Sequence, residues 1–220
     1  MIKILFFFTL ISNLYAHHHI ESTTPTSGSG IMSALRVFKK TEKINYLAEL
    51  AYADVQNQDH YKTFEVGGKY RLLRNLKLGA YYGRHFKDTG DENVGILELS
   101  PRFLLDFLPG ERWVGEFRVR YIENFSRHER SLRMRPGLTY FWFRNGSPFI
   151  NFFAQYEFYR SLDYGAKAVY AHWSYLGALY HHSEIVKFSP FFSYAIEKTG
   201  VWYNIKHKSK LFGVNVLFYL

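Results

Sequence analysis

Five arginines on three consecutive predicted strands are the residues of this chain with the clearest chemical potential. Arg102 is followed by two pairs at spacing i, i+2, namely Arg118 with Arg120 and Arg133 with Arg135. Residues two apart in a strand point to the same face, so the five guanidinium groups share one surface. A guanidinium binds carboxylates or phosphates through a planar fork of donors, and neighbouring guanidiniums repel unless acids lie among them. The spacing therefore indicates either an anion-binding wall or an internal network of ion pairs.

Further charged residues are predicted on the same face. Glu98 and Glu116 are expected to hold the arginines in place. A lysine and another arginine extend the basic surface, and we call the seven bases the basic track: Arg102, Arg118, Arg120, Arg133, Arg135, Lys69 and Arg71. Because Arg or Lys on a lipid-facing surface costs about 2–4 kcal/mol near the midplane, this face is assigned to an interior. The full interior set is predicted as Arg36, Glu49, Glu65, Lys69, Arg71, Lys77, Glu98, Arg102, Asp106, Glu116, Arg118, Arg120, Arg133, Arg135, Glu157 and Lys187.

The elements that carry these residues have the period of strands. Segments such as 64–72, 113–121 and 132–142 alternate apolar residues with charged or small ones, which is a period of two. The apolar faces end in aromatic residues, as on a lipid-facing wall with aromatic girdles. Eleven segments show this pattern: 31–39, 44–54, 62–73, 76–87, 94–107, 113–124, 131–143, 149–160, 171–181, 186–196 and 210–220. Most of them are long enough to cross a bilayer as tilted strands.

The connections between these segments predict the topology. Short and long connections alternate along the chain, as in outer-membrane barrels with short periplasmic turns and longer outer loops. Single-chain bacterial barrels have even strand numbers, so the count of eleven must be raised or lowered by one strand. Either a polar strand at about 19–27 makes twelve, or 31–39 lies outside the wall and leaves ten. The predicted fold is an all-β, transmembrane, antiparallel up-and-down barrel, with twelve strands favoured and ten as the alternative.

Composition and the N-terminus bound the class of protein. The 220 residues carry a formal charge of +9, and the absence of cysteine excludes disulfides and thiol chemistry. Residues 1–16 combine a basic start, a short apolar core and a small final residue, which predicts a cleaved signal peptide. Residues 17–220 then form one domain, exported to a bacterial outer membrane. Export makes nucleic acid an unexpected partner despite the basic charge.

These features together resemble bacterial outer-membrane β-barrels over the whole mature chain. The ending 210–220 is similar to the terminal strand that barrel-assembly machinery reads, although Leu220 follows the aromatic residues. Arg118 with Arg120, and Arg133 with Arg135, resemble the inner wall of small porins for acidic oligosaccharides, of the oligogalacturonate and sialic-acid type. The resemblance implies a monomeric barrel of twelve strands with basic tracks, lying in outer-membrane lipid and lipopolysaccharide.

The leading expectation is a passive channel for small anionic solutes that uses no cofactor and no metal. A closed structural or surface-interaction barrel with a salt-bridged lumen is the alternative. A lipid A-modifying enzyme comes third, because His172 and Ser174 share a face that is predicted to point inward. A histidine tract, His17 to His19, could bind metal at the mature N-terminus, but a solvated tail is the simpler interpretation.

Overall fold

A computed structural model describes residues 26–56, 60–87, 90–110, 112–163, 169–199 and 204–220. The predicted signal peptide, the histidine tract and most of the proposed strand at 19–27 lie outside the described residues. In the part of the chain that is described, no helix is long and apolar enough to span a membrane.

The eleven predicted segments are all strands, several of them longer than expected. Their bounds are β1 Thr26–Lys40, β2 Ile44–Val55, β3 Tyr61–Leu73, β4 Leu76–Lys87, β5 Glu92–Leu104, β6 Trp113–Asn124, β7 Glu129–Arg144, β8 Ser147–Ser161, β9 Val169–His181, β10 Val186–Thr199 and β11 Asn204–Tyr219. Sequential strands pair antiparallel, and the sheet closes on itself as a barrel.

The barrel closes through a parallel pair, which corrects the predicted strand number. β1 pairs in parallel with β11 from Thr26 opposite His207 to Phe38 opposite Tyr219. Its other edge pairs antiparallel with β2. Because both edges of β1 are used, the wall among the described residues has eleven strands. The predictions of twelve or ten strands, and of a wholly antiparallel sheet, are therefore wrong. The physical reason is that β1 starts earlier than predicted and is long enough to pair fully with β11.

The connections also differ from the predicted alternation. One end of the barrel, the turn end, carries the connections 41–43, 74–75, 105–112, 145–146 and 182–185. At the other end, the loop end, β2 is joined to β3, β4 to β5, β6 to β7, β8 to β9 and β10 to β11. Because β5 stops at Leu104, the connection 105–112 at the turn end is longer than 125–128 at the loop end. Strict alternation of short and long connections is therefore wrong.

Alternating burial separates an outer from an inner face on each strand. In β3, Thr63 and Glu65 are buried, whereas the residues that alternate with them, Phe64 and Val66, are exposed. The exposed side chains form an apolar outer wall around the barrel, which includes Leu50, Leu97, Leu176 and Phe212. The interior is partly apolar too, since Leu47, Tyr81, Val94 and Ile96 form a buried cluster there.

A tight turn and a bulge set the register between β7 and β8. Asn145 and Gly146 both have positive φ, of 51° and 77°, as a two-residue hairpin turn requires. Shortly before the turn the pairing shifts between Trp142 and Phe143, so that Phe143 faces Pro148 but Trp142 faces Ile150. Proline cannot donate to a sheet, which suits Pro148 to this bulge.

The parallel closure can be tested by cross-linking, because the chain has no cysteine of its own. Ser33 and Val214 are register partners across β1 and β11. We expect the double variant Ser33→Cys, Val214→Cys to form an intramolecular disulfide, since paired strands bring Cα atoms within the roughly 4.4–6.8 Å that a disulfide spans. The measurement is a gel shift after thiol labelling. Ser33→Cys, Val216→Cys is out of register by two residues and is the control. A further strand between β1 and β11 would abolish cross-linking in the first variant.

Candidate functional site

The basic track lies on the interior face, and strand register places its members beside one another. Arg118 on β6 faces Arg135 on β7, and Arg120 faces Arg133. Like charges that are directly opposite on neighbouring strands destabilise a sheet unless other groups intervene. The structure resolves this repulsion with two groups of acids, one on either side of β6 and β7.

The first group centres on Glu157 of β8, and we call it the Glu157 cluster. Arg133 and Arg135 each bind this carboxylate with two nitrogen atoms, including Arg135 Nε to Oε1 at 3.0 Å and Nη2 to Oε2 at 2.8 Å. The Tyr175 hydroxyl donates to Oε2 at 3.3 Å, and Arg118 Nη2 lies 4.0 Å from Oε1. The Glu157 side chain has 0% exposure. Its charge is therefore held entirely by protein groups.

The second group joins β3, β5 and β6, and we call it the Glu98 cluster. Arg120 donates from Nε to Glu98 at 2.7 Å and from Nη1 to Glu65 at 3.2 Å. Lys69 forms an ion pair with Glu98, and the Ser100 hydroxyl donates to the same carboxylate. Lys69 and Glu98 lie on strands that β4 separates, so their side chains meet across the inner surface.

Glycines make room for an aromatic ring beneath Arg120. The Arg120 guanidinium lies 5.3 Å from the centroid of the Tyr81 ring. A Cβ atom at Gly67 would come within 2.6 Å of this ring, and one at Gly79 within 2.8 Å. Either side chain would therefore displace Tyr81. The cation–π contact depends on this space, because a displaced ring would lose its position beside the guanidinium.

Towards the turn end the bases of the track are less neutralised. Arg102 donates from Nε to Glu116 at 2.5 Å, and the arginine side chain is 55% exposed. Arg71 is exposed and lies opposite Lys77 in the register. Arg36 and Glu49 form a separate interior pair between β1 and β2. The seven bases thus occupy two environments. Five of them lie in the Glu157 and Glu98 clusters, which we call the clamped clusters. The other two, Arg71 and Arg102, are exposed at the turn end, and we call them open bases.

Four of the five bases in the clamped clusters are more exposed than the acids that hold them, and Arg120, at 7% beside Glu65 at 8%, is the exception. The side chains of Lys69, Arg118, Arg133 and Arg135 keep between 15% and 23% exposure, whereas Glu98 and Glu157 have none. The carboxylates thus lie against the wall and the positive groups face the remaining interior space. A cavity lined by this arrangement presents positive potential even though its charges are paired.

Sequence reasoning named Glu98 and Glu116 as the acids of the site, but Glu157 and Glu65 carry much of the pairing. Their period of two places both on the interior face but indicates no partner for either. The missing information was the contact between side chains of strands that are not neighbours, such as Arg120 of β6 with Glu65 of β3. The alternation of residue types along one strand gives no information about such contacts.

The residues of the enzyme alternative lie on the other face from the one predicted. Ser174 is exposed on the outer wall, opposite Tyr156 and Tyr194, because Ala171 and Tyr175 take the inward positions of β9. The expectation that His172 and Ser174 point inward is therefore wrong. The Nδ1 atom of His172 lies 2.5 Å from the Tyr156 hydroxyl, so a phenol lies where a triad would need an acid.

At the loop end, ion pairs join the connections to the strands. Lys87 and Arg127 both pair with Glu92. The backbone N–H of Arg130 donates to Asp163, and its Nε donates to Oδ1 at 2.7 Å. The backbone and then the side-chain bonds of Arg130 lower the pKa of Asp163 below its ordinary value of 3.8. Among the described residues, no group of three or more metal-ligating side chains is placed to hold an ion.

A closed barrel with an apolar outer wall and charges inside is the architecture of β-barrels of outer membranes. The described residues of this chain form a closed barrel with this distribution of apolar and charged side chains. Comparison with protein-family models and with curated proteins finds no match. Among solved structures, a NanC porin in a rhombohedral crystal form is similar, with a TM-score of 0.49 and 15% identity over 81% of this chain and 92% of that chain. The barrel assignment rests on this chain's own strand pairing.

Removing the charge of Glu157 should destabilise the barrel. Glu157→Gln leaves buried guanidiniums without their counter-charge, and breaking a buried pair in this way costs about 3–5 kcal/mol. We expect the free energy of unfolding to fall by that amount in urea titrations of the protein folded in lipid vesicles. Glu184→Gln, in an exposed turn, is the control. Equal effects of the two substitutions would contradict the clamp.

The Asp163 contact predicts a pH dependence at the loop end. Because the folded pKa lies below the ordinary value, the contact stabilises the folded state fully above that value. The stabilisation is lost as the pH falls through the folded pKa. A carboxyl carbon titration by NMR should give a midpoint below 3.8. Arg130→Gln should raise the midpoint only in part, because the backbone donor remains, and Arg84→Gln should leave it unchanged. An ordinary midpoint in the native protein would contradict the contact.

Proposed function

We propose that this protein is a bacterial outer-membrane channel that passes small anionic solutes by diffusion. The observation that carries the proposal is the radial order of charge in the clamped clusters. Four of the five bases there, all except Arg120, are partly exposed to the interior, whereas Glu98 and Glu157 are shielded against the wall. A solute that enters this space meets guanidinium and ammonium groups first.

The open bases at the turn end also favour anions over cations. Arg71, Lys77 and Arg102 line one sector of the mouth on three neighbouring strands, and of these only Arg102 has an ion pair among the described residues. Such a cluster concentrates anions at an entrance and repels cations. The solute class consistent with both environments is a small carboxylate or phosphate, and acidic oligosaccharides are the members that the sequence resemblance suggests.

The environment of the barrel belongs to the same proposal. The protein is exported by the signal peptide at residues 1–16 and inserted by assembly machinery that reads the terminal strand. It works as a monomer with lipopolysaccharide around its loop end, and it performs no covalent chemistry. The apolar outer wall supports a membrane location, since such a surface would be unfavourable in water.

A closed structural or surface-interaction barrel is the second candidate, and one observation favours it. The side chains of Glu98 and Glu157 are inaccessible to water, and Arg120 has only 7% exposure. The clusters therefore fill part of the cross-section at this level. In a closed barrel the ion pairs stabilise the wall, and the exposed residues of the loop end bind the partner.

Ion selectivity in planar bilayers tests the channel. The wild-type protein should open stably and prefer anions under a salt gradient. Arg118→Gln is the informative substitution, because Arg118 reaches Glu157 only at 4.0 Å and its loss leaves Arg133 and Arg135 on the carboxylate. We expect the anion-to-cation permeability ratio to fall severalfold while the barrel stays folded.

Lys210→Gln removes a positive charge from the exposed outer face of β11 and is the matched control. It should leave the permeability ratio unchanged. Absence of conductance from protein that migrates as folded on a gel would overturn the channel and favour the closed barrel. Equal ratios for wild type and Arg118→Gln would show that the clamped bases do not select the ions.

A further inference from the structure

The outer wall contains a depression on β2 to β6, close to the turn end. It has a volume of about 780 Å³ and an almost wholly apolar lining that includes Tyr70, Leu78, Leu97 and Leu99. These residues belong to the outward face of their strands, so the depression opens to the membrane side and not to the interior. We call it the wall groove.

Two small residues side by side create the wall groove. Gly68 on β3 faces Ala80 on β4 in the register. The next outward row towards the loop end is formed by Val66 and Tyr82, and the next row towards the turn end by Tyr70 and Leu78. All four of these larger side chains are more than a third exposed. A gap with raised sides therefore remains in the wall, with Gly68 and Ala80 as its floor.

Basic residues lie at the turn-end side of the groove. Lys43 directly precedes Ile44, which lines the groove, and its carbonyl accepts a hydrogen bond from the backbone of Arg71 at 2.8 Å. Arg74 is in the turn between the two strands that form the floor. Both side chains are exposed, and one acid, Glu42, shares these two turns. The surface thus changes from apolar to basic at the turn-end side of the groove.

We propose that the wall groove binds one membrane phospholipid, with an acyl chain in the groove and the phosphate at Lys43 and Arg74. The apolar lining matches a hydrocarbon chain, and the two bases match the charge of a phosphodiester. The proposal rests on the membrane location within the proposed function, but not on conduction. A barrel that conducts no ions would still bind the lipid.

Native mass spectrometry of the full chain, released from detergent with added phosphatidylglycerol, tests the site. Wild type should retain one lipid per barrel. Ala80→Phe fills the floor, and the retained fraction should fall about tenfold, the loss expected when roughly two methylene groups leave the groove. Ala154→Phe adds the same ring at an exposed, outward-facing alanine of β8 and should retain the lipid as wild type does. Equal retention by Ala80→Phe and Ala154→Phe would overturn the proposal.

The headgroup contact is tested separately. Lys43→Ala, Arg74→Ala should lower retention of phosphatidylglycerol but not of a diacylglycerol with the same chains. Arg112→Ala, Arg144→Ala removes two other exposed bases of the turn end and should change neither. Retention of the two lipids that is equal in wild type would overturn the phosphate contact.

A second copy of the chain is the competing occupant. A dimer mass that disappears in Ala80→Phe would show that the groove is an interface between copies and would overturn the lipid site. Gel migration before and after heating reports folding of each variant, so that a lost site is distinguished from a lost barrel. Bilayer conductance of the same samples separates failure of this proposal from failure of the channel.

Discussion

The interior of the barrel depends on one buried carboxylate. Glu157 has no access to water, so its charge must be stabilised by groups of the protein. Arg133, Arg135 and Tyr175 supply those groups from the two strands that flank β8. The same contacts relieve the repulsion between arginines that the register sets opposite one another on β6 and β7. Glu65 and Glu98 can then pair with Arg120 and Lys69, because the arginines of the Glu157 cluster already have their own counter-charge.

The position of Glu157 depends in turn on a bulge far from it along the strand. With a regular two-residue hairpin at Asn145 and Gly146, the residue pairs would keep the spacing of Arg144 with Ser147, and Arg135 would face Tyr156. The shift between Trp142 and Phe143 moves the pairing by one residue, as Gly137 opposite Gln155 shows. Opposite residues share a face, so without the shift Glu157 would point outward from the barrel. A local irregularity beside Pro148 is therefore required for the charge cluster.

The sequence predicts the strands and their faces well, because a period of two survives in almost every segment. The interior charges of β3, β5, β6 and β7 follow directly from it. The pairing of Glu65 with Arg120 could not be predicted, since it joins strands that are three apart in the barrel. The predicted inward face of β9 is wrong because both of its faces carry aromatic and polar residues. There, the packing of Tyr175 against Glu157 decides the orientation, and no pattern within β9 contains that contact.

The predicted number of strands is wrong for a different reason, which is the way in which the barrel closes. An up-and-down barrel with an even number of strands closes antiparallel, whereas an odd number forces one parallel pair. Parallel pairing is slightly less stable per residue, so an odd barrel needs a long seam. Here the seam runs without a register shift from Thr26 to Phe38 along nearly the whole of β11. Gly28 and Gly30 lie in this seam, where a Cβ atom would come within 2.3 Å of backbone oxygen atoms of Gln56 and Asp54. The glycine-rich start of β1, which looks too polar for a membrane strand, is thus what permits its close approach to β2 while it pairs with β11. The rule that bacterial barrels have an even number of strands therefore does not apply to a chain whose first strand can pair in parallel with its last strand.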